Sequence, residues 1–452
     1  MENDKIKKIV DFIKLCRLTN WLDLFLVILF PILIYISSYY IYLLIYVVFI
    51  PLIILAYRNR FSRFLILSVI SQIIYSIVMT FWVAKFGVKY FFILFVYLII
   101  FNLIFSFSLY FIFNKKTKYP ISVLIPPILW FSMTALISTI NGGQQWYSLA
   151  RLQPSLYPLT AIIGETGIDF LIILVNCLLG CYIIFRNKKV LIHLFVIVAI
   201  LFLCFVYSQL ATIEGRAVKI AVIQGNFQKD WLWRTQNADK IIMDTYERLS
   251  FEAAKNKPDV IIWPEYAIPN DIFADQNLYN RISKIAKETE SIVVFGSLGK
   301  TENTDPEFNY IKNVAHVFSK NGEHLGNYVS VLPFPFKDKI IPGASFPVFN
   351  TEIGKIGIIT CWEEYYGFVN KEYANAGADF FINLVNDNPI QNLNAMKAKS
   401  TYARLRASEN HKYVIRAANT GFSLVANPYG KVVSSMEPFK EGVLLVDIYL
   451  NK

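Results

Sequence analysis

From Trp21 to about Leu210 one long apolar segment follows another, interrupted only by short polar or charged breaks, whereas from Arg216 onward short β-branched runs alternate with amphipathic stretches. A bilayer core takes roughly 20 apolar residues per helix. Cut at its polar breaks, the first part predicts about seven spans, at 21–38, 39–57, 64–86, 90–113, 119–141, 160–185 and 189–211. In the second part "VKIAVIQGN", "DVIIWPE", "SIVVFGSLG", "KIGIITCW", "DFFINLVND" and "KYVIRAANTG" read as strands, with helical patterns such as 236–256 and 277–289 between them. The pattern therefore predicts a multi-span α-helical membrane domain over 1–211 and an α/β domain over 217–450, whose roughly 235 residues suffice for one core. Periodicity does not fix the order of the strands.

Composition agrees with this division. A chain that is 55% hydrophobic and 16% aromatic, with a mean hydropathy of +0.43, is too apolar for a soluble enzyme of this length. The net charge of +11 is concentrated in part in "MENDKIKK", "RNRFSR", "NKKTK" and "RNKK", which alternate with the uncharged or weakly charged "SSYY" and "NGGQQWYSLARLQPSLYP". Basic loops stay in the cytoplasm, so an odd number of spans brings the α/β domain out on the outer face of the cell membrane. The basic charge then reads as orientation and contact with anionic lipid. No nucleic-acid recognition motif accompanies it. The first apolar run lacks a small-residue cleavage site and is followed by further spans, so it reads as a span and not as a removable leader. Hardly any ionisable residues lie within the spans, which argues against a transporter or receptor.

Of the 5 cysteines, Cys177, Cys181 and Cys204 fall within spans and Cys16 just before the first, which leaves Cys361 alone in the second domain. It ends the apolar run "IGIIT" and opens "CWEE". A thiol attacks as thiolate, and so needs a base for its proton and a cation for the resulting charge. His316, His324 and His411 have no Cys-His-Asn setting and read as surface or satisfied side chains. Glu265 is the better base: in "IIWPEYAIP" it follows an apolar strand and is fixed between Pro264 and Pro269. Burial beside Trp263 would raise its pKa toward a useful value. Ligand-type residues show no paired spacing, so neither a metal nor another cofactor is expected.

Taken together, "WPE", "CWEE" behind "GKIGIIT", "NLVND", "YARLRASEN" and "RAANTGFSLVANPYG" resemble the signature blocks of the carbon-nitrogen hydrolase (nitrilase) superfamily. Preceded by a multi-span domain, they resemble its membrane branch, the apolipoprotein N-acyltransferases. "IAVIQGNFQKDWLW" and the stretch "WYSLARLQPSLYPLTAIIGETGIDFLIILVN" are similar to further blocks of that branch. The resemblance implies a nitrilase-like αββα sandwich with a Glu-Lys-Cys triad. Glu265 would deprotonate Cys361, the thiolate would take an acyl chain from a phospholipid acyl donor, and the N-terminal amine of a lipoprotein would receive it. Glu363 matches the family's supporting acid, and Trp231, Trp233 and Trp362 would contact substrate.

The lysine departs from the family pattern. Aligning "LPF" leaves Tyr328 or Ser330 where the lysine belongs; aligning "KDKIIPG" puts Lys337 there, with Lys339 close by, and Lys337 is the expected cation. "NDNPI" keeps Asn386 and Asp387 without the aromatic pair that follows in the family, Lys399 stands where a histidine is usual, and no apolar span follows "VLLVDIYLNK". Arg404 and Arg406 read as helix-borne partners of local acids, and Asn419 as part of a strand-end turn. Three readings stay open: a lipoprotein N-acyltransferase, a membrane-tethered amidase or other amine N-acyltransferase, and a non-catalytic relative acting as a partner protein.

Overall fold

The computed structural model describes residues 20–114, 121–140, 148–228, 235–300, 311–334 and 340–450. The chain divides into two compact units, one of Met1–Ile137, Ser148–Gln153 and Glu165–Leu203, the other of Ser138–Tyr147, Pro154–Gly164 and Cys204–Lys452.

The first unit is helical. Trp21–Tyr39, Phe61–Phe86, Val88–Phe113, Pro154–Phe185 and Lys189–Leu210 are long and apolar enough to cross a membrane, and Tyr42–Arg58 and Ile125–Thr139 are apolar but shorter. Their surface inverts the soluble pattern: Phe92, Ile93 and Val96 are exposed, while Ser71, Gln72, Asn102 and Ser106 are buried. This is a multi-pass membrane protein. Hydrocarbon offers no partner to free backbone groups, so a broken helix must be repaired from within. Between the turn at Tyr42–Tyr46 and the helix Ile50–Arg58 the repair comes from Asn176. Its Oδ1 accepts from the Phe49 N–H at 3.0 Å and its Nδ2 donates to the Ile45 carbonyl at 2.9 Å. The helix Tyr157–Phe185 kinks at Gly164, whose φ of 67° is left-handed and costs glycine nothing. There the chain passes from one unit to the other.

The second unit holds two six-stranded sheets. The strands are β1 (Arg216–Gln224), β2 (Val260–Ile262), β3 (Ile292–Lys300), β4 (Ile311–Phe318), β5 (His324–Val329), β6 (Val348–Thr351), β7 (Gly354–Thr360), β8 (Phe380–Val385), β9 (Tyr413–Ala418), β10 (Ser423–Ala426), β11 (Val432–Met436) and β12 (Gly442–Leu450). The first sheet runs β12-β1-β2-β3-β4-β5 and the second β11-β10-β9-β8-β7-β6. In each, three central strands are parallel, β1-β2-β3 and β7-β8-β9, and the outer neighbours antiparallel. One face of each sheet meets the other sheet: Val218, Ile220 and Val222 share a core with Ile356, Ile358, Ile382 and Ile415. The opposite faces carry helices. Ala221, Ile223, Ile261 and Val293 pack on α1 (Ala238–Ala254) and α2 (Gln276–Thr289), and Ile359, Phe381 and Val414 on α3 (Gly367–Asn375) and α4 (Leu393–Asn410). Strands buried on both faces read as continuous apolar runs, which is why the sequence shows runs and not alternation. The result is the expected αββα sandwich.

Candidate active site

Parallel strands place their carboxyl ends along one rim, the usual location of α/β sites. Here two rims meet. From the first sheet, β2 ends at Ile262 and the chain turns at Glu265–Tyr266; from the second, β7 ends at Thr360 and Cys361 follows. The Glu265 carboxylate is buried, accepting from Asn313 Nδ2 at 2.7 Å and from the Asn386 N–H at 2.9 Å. The Asn386 N–H, just past β8, also lies near enough to the Cys361 sulfur to favour its thiolate. The structure thus brings Glu265 and Cys361 together. Trp263, expected beside Glu265, faces the other way: it lies in the helical layer, with its ring 5.2 Å from that of Tyr246 and its Nε1 donating to Ser250 Oγ at 3.0 Å. The turn after β2 separates the two residues, so polar Asn313 and the Asn386 N–H are Glu265's neighbours instead.

Cys361 is the first residue of the 3-10 turn Cys361–Tyr365 and has a φ of 44°, left-handed and unusual for any residue other than glycine. Burial, then the Glu265 carboxylate, push its thiol above the ordinary range, Asp387 adding to this; Lys399 and the Asn386 N–H oppose them. At neutral pH the resting sulfur therefore carries its proton.

Lys399, on α4, is the neighbour that sequence reasoning missed. Its Nζ lies 3.2 Å from Cys361 Sγ, donates to Asp387 Oδ1 at 2.9 Å, and stands 3.5 Å from Glu364 Oε1. Arg416 closes the set, with Nη2 2.9 Å from Asp387 Oδ2 and Nε 3.1 Å from Glu364 Oε2. All four side chains are buried. The carboxylates hold Lys399 well above its usual range, and the two cations, Arg416 first, hold Asp387 below its own.

Glu363 faces away from the sulfur. Its Oε2 accepts from the Thr360 N–H and hydroxyl at 2.8 and 3.0 Å, a capping box across the turn. Its Oε1 accepts from Tyr328 Oη, Ser330 Oγ, and the Val331 and Leu332 N–H groups at 2.5–3.0 Å. The alignment positions Tyr328 and Ser330 are therefore both bound to Glu363. Trp362 is buried against Phe334 and Tyr365, with ring centroids 4.9 and 4.7 Å away. Trp231, Trp233, Lys337 and Lys339 lie outside the described residues.

His316 is buried and partnered by Ser297 and His324. Arg406 is buried, donating to the Glu364 carbonyl at 3.1 Å and pairing with Glu409, whereas Arg404 donates to the Gly430 carbonyl at 2.9 Å. Asn419 clips the 226–227 backbone, its Oδ1 accepting from the Phe227 N–H at 3.0 Å.

Among solved structures, an amidase of the nitrilase superfamily from Nesterenkonia superposes with a TM-score of 0.43 at 18% identity, over 53% of this chain and 94% of that one. The apolipoprotein N-acyltransferase of Geobacter metallireducens is 29% identical over 369 residues, 74% of this chain and 69% of that protein. That of Haemophilus influenzae is 25% identical over 408 residues, 81% and 75% respectively. The family pattern described as carbon-nitrogen hydrolase matches residues 219–452, and that of the apolipoprotein N-acyltransferase N-terminal domain matches residues 25–178. The chain belongs to the carbon-nitrogen hydrolase family, in the membrane branch formed by the apolipoprotein N-acyltransferases.

Proposed function

We propose that the protein moves a fatty acyl chain from a membrane phospholipid, through a thioester on Cys361, to the N-terminal amine of a lipoprotein. The observation that carries this reading is the approach of the Glu265 carboxylate, from the first sheet, to Cys361, from the second, near the Asn386 N–H that bonds Glu265. The names of the relatives and the apolar exterior of the helical unit support a donor and an acceptor that both reside in lipid.

In the first half-reaction the sulfur attacks the ester carbonyl carbon while Glu265 takes the thiol proton. The S–C bond forms, the C–O bond to the lysophospholipid breaks, and the leaving oxygen takes the proton from Glu265. In the second half the amine nitrogen attacks the thioester carbon and gives a proton to Glu265. The C–N bond forms, the C–S bond breaks, and the sulfur recovers that proton. A thiol that stays protonated until a carbonyl arrives suits this order, because general-base removal then coincides with attack. Glu363 supports the site by tying the 328–332 segment to the end of β7. Trp362, and on sequence grounds Trp231 and Trp233, contact the acyl chain. The basic loops support an α/β domain on the outer face, if Tyr42–Arg58 and Ile125–Thr139 count as spans beside the five longer helices.

The test is intact-mass analysis of the purified protein in phospholipid micelles. A hydroxylamine-sensitive fatty-acyl adduct is expected on the wild type and none on Cys361→Ala, and Glu265→Gln is expected to form it slower by on the order of 10²–10⁴. Folded wild-type protein that gains no adduct from any phospholipid would overturn acyl transfer and favour an amidase.

A further inference from the structure

We infer that Lys399 is the cationic catalytic residue of this site, holding the charge on Cys361 from helix α4 instead of from the loop between β5 and β6. The inference deepens the acyl-transfer reading and rests on it for the chemistry that follows, but its geometry stands independently. The Lys399 Nζ donates to Cys361 Sγ at 3.2 Å, a direct contact with the reacting atom. Tyr328 in β5 and Ser330 just after it, the positions where the family resemblance would put the lysine, carry no positive charge and are bound to Glu363.

The charges around Lys399 explain why an ammonium can wait there. Lys399 and Arg416 face Glu364 and Asp387, two cations against two carboxylates, so the buried set is neutral without Cys361 or Glu265. When the thiol proton passes to Glu265, the total charge of the site stays the same and the negative charge moves from the carboxylate to the sulfur. It moves toward Lys399. A buried ammonium at hydrogen-bonding distance is scarcely screened and stabilises the thiolate directly. Asp387 bridges both cations, bonding Lys399 with Oδ1 and Arg416 with Oδ2, and so fixes the direction in which Nζ points. Asp387 is thus a positioning residue.

The experiment reads the thiolate without requiring turnover. Full-length protein in detergent is treated with iodoacetamide across a range of pH, and alkylation of the Cys361 peptide is followed by mass spectrometry. Lys399→Met is expected to move the alkylation midpoint upward by about one unit or more, and Lys399→Arg to restore it toward the wild-type value. Acyl-adduct formation is expected to fall about 10²-fold or more in Lys399→Met. Lys399→Gln retains a hydrogen-bond donor to Asp387 but no charge; it is expected to behave as Lys399→Met does, and it decides the matter if Lys399→Met fails to fold. A folded Lys399→Met or Lys399→Gln protein with an unmoved midpoint would overturn the inference, as would a shift produced by Lys337→Met in its place. A shifted midpoint in a protein that never forms a thioester would leave Lys399 as the cation and remove the acyl-transfer reading alone.

Discussion

Glu265 and Cys361 are each held by backbone that few side chains adopt. Tyr266, next to Glu265, has a φ of 53° and Cys361 one of 44°, conformations that cost on the order of 1–3 kcal/mol each and persist only where the surroundings enforce them. Gly296 on β3 is part of that enforcement: a Cβ there would lie 2.7 Å from Glu265 Cα and 2.8 Å from the Tyr266 nitrogen. Both are backbone atoms that cannot swing aside. Gly296→Ala is therefore expected to lower the rate of adduct formation by about 10–100-fold through displacement of the base, and to lower stability by about 1–3 kcal/mol. Gly299→Ala on the same strand meets side-chain atoms first. It is expected to affect thermal stability without a comparable loss of rate, and equal rate losses in the two variants would count against this account. At this scale the sequence was informative where the signal is local. "WPE" and "CWEE" mark strand ends, and the strand ends are where the fold puts Glu265 and Cys361. Lys399 was noticed only as an oddity, because its contact with Cys361 spans 38 positions. α4 is buried nearly all round, Ser400, Thr401 and Ser408 as well as Lys399, so its sequence shows no apolar stripe on which a lysine would stand out. A lysine buried there requires carboxylates nearby, and Asp387 and Glu364 supply them.

The paired apolar faces of the strands settle most of the element-scale architecture, and one strand carries a titratable group into that core. His316 on β4 lies against Phe295, with ring centroids 5.2 Å apart, and bonds Ser297 Oγ at 2.9 Å and His324 Nε2 at 3.2 Å. Burial first, and His324 second, lower its pKa from 6.5 to about 3. The folded domain thus keeps His316 neutral, while the unfolded chain takes up a proton below pH 6.5. Its contribution is present in full above about 6.5 and is lost as the pH falls toward 3, a change on the order of 4 kcal/mol. Asp387, whose pKa is depressed, acts in the same direction lower down: its contribution is present above its unfolded value of 3.8 and is lost as the pH falls through its folded one. The thermal midpoint in detergent is expected to fall between pH 6.5 and 4, and His316→Phe is expected to flatten that fall. An unchanged slope in the variant would show that His316 is not the group responsible. The sequence reading of this histidine as a satisfied residue was sound, but its depth was not visible, since it depends on the β3–β4 pairing that sets His316 opposite Phe295.

Across the whole molecule hydropathy separates the apolar helices from the strand-rich part, whereas the compact units exchange segments at 138–147, 154–164 and 204–210, and the sheet order is not legible, because periodicity tells which face of a strand is buried and not which strand lies beside it. The proposed orientation yields its own expectation. In cells with an intact inner membrane, a membrane-impermeant maleimide should label a cysteine placed at exposed Glu437 on the α/β domain, and should label one at exposed Lys188 in "RNKK" only after permeabilisation. The reverse pattern would place the domain in the cytoplasm. The pairing of β12 with β1 carries a consequence for biogenesis. All nine residues of β1, Arg216 to Gln224, find their antiparallel partners in Gly442 to Leu450. The first sheet, which bears Glu265, therefore cannot close until Gly442 to Leu450 have left the ribosome. Until then β1 presents an unpaired edge of the kind that invites wrong partners. Synthesis itself thus delays closure of that sheet until the spans that precede it have already been made.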